Sequence, residues 1–183
     1  MGSYLNPGSK GFQESLNSEI YVDKTGLIEK TNAVLDTRQK FLCVSRPRRF
    51  GKSMAADMLA AYYERGEDAD LLFRSLKISK AESYRAHLNR YDVIKVNIQE
   101  FLSMTGSMDE MLSMLKKYLV FDLMEHFDDV RFRDESNLIQ VMKDIYAKTK
   151  RAFVILIDEW DCLFREYQQD QEHGQDEKEH LLC

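Results

Sequence analysis

Arg46-Pro47-Arg48-Arg49-Phe50-Gly51-Lys52-Ser53 constrains this chain more than any other segment, because its neighbours dictate a strand, a tight loop and a helix in that order. Before it lies the short apolar run Phe41-Leu42-Cys43-Val44; after it Met54, Met58, Leu59, Ala61 and Tyr62 recur on one helical face. A loop in that setting can fold its backbone N–H groups around an anion while the helix N-terminus adds its dipole. The Gly-Lys-Ser ending suits phosphate. Gly51 permits close backbone approach, Lys52 reaches the β/γ-phosphates, and the Ser53 hydroxyl is placed to ligate Mg²⁺. The strict pattern G-x-x-x-x-G-K-[ST] fails at its first position, where Arg46 stands, but the spacer from Pro47 to Phe50 is kept. Pro47 stiffens the loop's entry.

The natural partner of such a loop lies far along the chain. Val154-Ile155-Leu156-Ile157 reads as an apolar strand, and it ends in Asp158 and Glu159. Asp158 would hold Mg²⁺, and Glu159 would position and polarise an attacking water. Asp161 has two open readings, an aid to the metal or a helix cap. The residues therefore give a nucleotide-binding set of Arg48, Arg49, Phe50, Gly51, Lys52, Ser53 and Met54. Ser53 and Asp158 are the metal pair, and Lys52 with Glu159 are the catalytic pair. Taken singly, each feature has a bland reading: a basic surface tract, a helix-start glycine, a solvated strand end. Neither bland reading of the loop accounts for the distant acidic strand end.

With 183 residues the chain has room for one domain with a core, and its 44% hydrophobic and 31% charged residues are those of a soluble protein. The net charge of −5 argues against bulk binding to a polyanion, so such contact needs a local patch. Cys43, Cys162 and Cys183 have no metal-ligand spacing, and Cys43 is expected in a buried strand. No apolar run approaches the ~20 residues of a membrane span. The N-terminus lacks the basic and apolar regions of a signal peptide, which makes the cytoplasm the expected location. His87, His126, His173 and His180 are expected at the surface and Trp160 in the core. Met104, Met108, Met111 and Met114 read as helix packing.

Along the chain, 1–20 reads as an irregular lead-in, and Tyr21-Val22-Asp23-Lys24-Thr25 opens a helix capped by Asp23 or Thr25. Residues 41–45 are the expected first strand and 52–64 the following helix, with Gly66 as its stop. Leu71, Leu72 and Phe73 are expected in the core, and 81–89 as a short helix. Residues 91–98 alternate as a second strand. Ser107 and Glu110 form a capping box that starts a helix running to about residue 126. A third amphipath covers 137–148, and 152–157 is the third strand. Strand alternating with helix argues for an α/β fold, a parallel sheet with helices on both faces. From 168 to 183 the apolar pattern is lost, as in a solvated tail.

Three segments in this order carry a family likeness: Tyr21-Val-Asp-Lys-Thr25, Ser45-Arg-Pro-Arg-Arg-Phe-Gly-Lys-Ser53 and Val154-Ile-Leu-Ile-Asp-Glu-Trp-Asp161. Over about 1–167 the chain resembles the N-terminal part of the predicted AAA-ATPase-like proteins of bacteria and their relatives. The resemblance implies a three-layer P-loop NTPase sandwich, ATP and Mg²⁺ as ligands, and hydrolysis in the complete protein. It also implies that the Tyr21–Thr25 segment lies near the adenine. Family members often continue into a PD-(D/E)xK nuclease-like domain, the expected route to any nucleic-acid contact. Nothing after residue 166 reads as the strand that this class inserts between its phosphate-loop and acidic strands. The expectation is accordingly an incomplete sheet in a fragment, with a protein partner or self-association open. The rival readings are a non-catalytic module ordered by nucleotide, and a basic-loop fragment that binds nucleic acid through Arg46, Arg48, Arg49 and Lys52.

Overall fold

The computed structural model describes residues 3–45, 51–66 and 68–164. In chain order its elements are α1 (Lys10–Leu16), α2 (Gly26–Asn32), α3 (Lys52–Tyr63), α4 (Asp70–Phe73), a 3-10 turn at Lys77–Lys80, α5 (Tyr84–His87) and β1 (Asp92–Asn97). There follow α6 (Ile98–Ser103), α7 (Met108–His126), α8 (Leu138–Thr149) and β2 (Phe153–Asp158). The two strands are parallel, in register from Asp92 opposite Phe153 to Asn97 opposite Asp158.

Strand alternation sends successive side chains of β1 to opposite faces, and each face has its own core. Val93 and Val154 join Phe12, Ile28, Met58, Tyr62, Tyr63, Phe73 and Tyr84, so α1 to α5 cover one side. Ile94 and Val96 join Leu5, Phe101, Met111, Leu123, Val141 and Ile145, so α6 to α8 cover the other. The result is an α/β arrangement with a small parallel sheet between helices. Buried Asp92 receives the Arg151 Nε at 2.9 Å, tying the start of β1 to the residues that lead into β2.

Local signals set the helix ends. Ser107 Oγ accepts the Glu110 N–H at 3.3 Å, and the Glu110 carboxylate reaches back to the Gly106 N–H at 3.0 Å. Asn137 Oδ1 accepts the N–H groups of Ile139 and Gln140. Lys150, with φ +57°, ends α8 in the left-handed region.

Several expectations are corrected. The lead-in is not irregular: Leu5 and Phe12 are each only 1% exposed, and α1 forms around Phe12. Leu5 bridges antiparallel to Ile94 and so covers the free edge of β1, while Asp122 accepts the N–H groups of Tyr4 and Leu5. Single buried anchors of this kind leave no periodic trace in a sequence. Residues 41–45 form no strand, Phe41 is 88% exposed, and Cys43 is exposed instead of buried. A strand needs a neighbour for its N–H and C=O groups, and among the described residues none pairs with 41–45. Leu71 is exposed although Phe73 is buried, and the helix expected over 81–89 contracts to α5. Of the four methionines, Met111 is buried but Met104 is not. No helix among the described residues is long and apolar enough to cross a membrane.

Candidate phosphate site

Gly51 opens α3 with φ +77° and ψ +37°, the left-handed conformation that a side chain resists, and its carbonyl accepts the Ala55 N–H at 3.1 Å. A Cβ there would stand 3.2 Å from the Lys24 Nζ and 3.7 Å from the Met54 sulfur. Lys52 is half-buried in the first turn, whereas Ser53 and Met54 are exposed. Arg48, Arg49 and Phe50 lie outside the described residues.

The helix behind this turn is fixed on three sides. Asp57 pairs with Lys95 of β1, and the missing side chain of Gly11 lets α1 lie against the Asp57 carboxylate. The Tyr62 hydroxyl donates to the Tyr84 carbonyl at 2.7 Å, and that of Tyr63 donates to Asn32 Oδ1 at 2.7 Å. These ties anchor α3 at its middle and at its C-terminal end.

At the end of β2, Asp158 is 8% exposed, and its Oδ1 accepts the Glu159 N–H at 3.0 Å. Glu159 takes φ +52°, a conformation that costs a non-glycine residue about 1–2 kcal/mol. Its carbonyl then accepts the Cys162 N–H at 3.2 Å, so the chain reverses at once. The reversal carries Asp161 to Lys52, with the Asp161 carboxylate 3.4 Å from the Lys52 Nζ. Asp161 stands immediately before the helical residues 162–164, and it gives the lysine a partner. The pair is partly solvated and contributes at most about 1 kcal/mol, so it exchanges readily. Trp160 is 38% exposed against the Phe164 ring, and is not the expected core residue. Cys162 is buried, and burial pushes its thiol pKa up. No three His, Cys, Asp or Glu side chains among the described residues gather around a common point for a metal ion.

Lys24 is the neighbour of the loop that the sequence did not announce. Asp23 accepts the Thr25 N–H at 2.9 Å and the Thr25 hydroxyl at 2.6 Å through one oxygen, and the Lys77 N–H at 2.8 Å through the other. Thr25 Oγ1 accepts the Ile78 N–H at 3.1 Å. Burial opposes ionisation of Asp23, but the hydrogen bonds from Thr25 and Lys77 outweigh it and hold the carboxyl below its ordinary range. Thr25 does occupy the N-cap position of α2, yet neither it nor Asp23 caps the helix, because both side chains tie the turn to 77–78. The Asp-x-Thr spacing was the available signal of a self-bonded turn. Lys24, between the two tied residues, stands beside Gly51.

Comparison with known sequences gives two findings. The profile of a family described as "Predicted AAA-ATPase" matches residues 8–182. The "Uncharacterized protein in vnfD 5'region" of Azotobacter chroococcum mcd 1 is 27% identical over 146 residues. That stretch is 77% of this chain and 25% of the relative, so the match spans a quarter of the relative's length. No solved structure matches the chain.

Proposed function

The chain belongs to the predicted AAA-ATPase family, and on that premise we propose that it binds Mg·ATP at the N-terminus of α3 and, within the complete protein, hydrolyses it. One observation carries the reading: Gly51, left-handed at the start of α3, is followed by a lysine whose partner comes from the turn beyond β2. Long-range folding thereby brings Lys52 beside the turn that follows β2, which supports this reading.

In this reading the backbone around Gly51 cradles the phosphates, with Arg48, Arg49, Phe50 and Met54 completing the contact. Lys52 exchanges Asp161 for phosphate oxygens and stabilises charge as it develops. Ser53 and Asp158 hold Mg²⁺, which prefers one or two protein oxygens beside phosphates and water. Glu159 orients the attacking water. Residues 1–167 are then the N-terminal portion of a P-loop domain of the sandwich type. A reducing cytoplasm suits the free thiols of Cys43 and Cys162.

A calorimetric titration with Mg·ATP tests the binding half. Lys52→Ala is expected to weaken affinity at least about tenfold. Binding that ignores Lys52 would sink the proposal. A phosphate-release assay on the complete protein, with Glu159→Gln losing turnover but keeping ATP, tests the other half.

A further inference from the structure

We infer that Lys24 is a second phosphate-binding cation of this site, presented to the loop by the Asp23–Thr25 turn. The inference rests on the nucleotide reading and adds a residue to it. The Lys24 ammonium lies 3.2 Å from where a Cβ of Gly51 would stand, so it occupies the face of the glycine that the absent side chain leaves open. The positive end of the α3 dipole lies at this turn, and Lys52, paired with Asp161, is the first residue of the helix.

The presentation is rigid. The turn around Lys24 is held by the Asp23 bonds to Thr25 and Lys77, by Thr25 accepting from Ile78, and by the Leu27 N–H bonding to the Lys24 carbonyl at 3.0 Å. Tyr21, at the head of the segment, packs edge-on against Phe12 in the core. A cation fixed before its ligand arrives loses less freedom on binding than one on a free loop. This gives the Tyr21–Thr25 motif a job: its aspartate and threonine aim the lysine between them. The ligand chemistry is a chain of phosphates, from a nucleoside triphosphate or an inorganic polyphosphate.

Titrations with Mg·ATP, AMP and inorganic tripolyphosphate, alongside urea unfolding of each variant, test the inference. Lys24→Gln is expected to weaken ATP and tripolyphosphate about tenfold while leaving AMP within about twofold, and Lys24→Arg to recover most of the loss. Thr25→Val, which unties the turn but keeps the ammonium, is expected to weaken ATP severalfold. That second variant decides the question should Lys24→Gln not fold. A folded Lys24→Gln protein with unchanged ATP affinity would overturn the assignment, as would equal losses for AMP and ATP. Lys24-dependent binding of tripolyphosphate without binding of ATP would overturn the nucleotide reading and leave Lys24 in place. Binding of ATP that needs Lys52 but not Lys24 would do the reverse, and binding of neither ligand would remove both.

Discussion

Two residues hold the site in conformations that side chains resist, and only one of them is glycine. Gly51 at φ +77° is where the residue type matches the backbone. Gly51→Ala is expected to cost about 1–2 kcal/mol in urea unfolding, from the left-handed backbone. The same change should weaken ATP about tenfold, because the new Cβ meets the Lys24 ammonium. Glu159 is the opposite case, a glutamate held at φ +52°. Strain of this size persists where a side chain is needed for another purpose. Glu159→Gly should therefore stabilise the fold by up to about 1 kcal/mol while removing hydrolysis in the complete protein. If Glu159→Gly is less stable than the parent, the strain is not real.

At the level of elements, the helices divide into those written locally and those placed from afar. The start of α8 belongs to the first kind: Asn137 alone satisfies two N–H groups. Asn137→Ala should lower the urea midpoint by the equivalent of about 1 kcal/mol without touching nucleotide affinity. The packing of α1 on α3 belongs to the second. A Cβ at Gly11 would stand 2.9 Å from the Asp57 carboxyl carbon, and that carboxylate is already engaged with Lys95. Gly11→Ala must move one of them, at an expected cost of about 1 kcal/mol, the low end for overpacking. Because Asp57 lies in the second turn of α3, behind Gly51, the same variant should weaken ATP as well if the proposed site is right, which Asn137→Ala should not.

For the whole molecule, the core between α1 to α5 and the sheet is rich in tyrosine. Burial pushes Tyr62 up to about 12, and burial, then the Asp23 charge, pushes Tyr21 to about 12. Burial raises Tyr63 and Tyr84 further. In the unfolded chain these phenols ionise near pH 10, whereas the folded state keeps their protons. The unfolded state binds fewer protons above that point, so stability is full below about pH 10 and falls as pH rises toward 12. Urea midpoints followed from pH 9 to 12 with tyrosine absorbance should show unfolding and ionisation together; phenols that ionise near pH 10 in an intact fold would contradict it. On the other side of the same sheet, Ile155 and Ile157 of β2 stay exposed, and among the described residues β2 pairs only with β1.

Features that a short window encodes were legible in the sequence alone. The strand within 91–98, the cap at Ser107, the helix that begins at Lys52 and the carboxylate at the end of β2 all depend on residues a few places apart, and all appear where their patterns put them. What stands beside them came from the closing of the fold. Residues 41–45 have strand composition but no strand, because pairing is supplied by a neighbour and not by the segment. Lys24 meets Gly51, and Asp161 meets Lys52, across separations that no periodicity spans. Side-chain chemistry is local and legible, whereas proximity is created when two cores close on one sheet. The site depends on both.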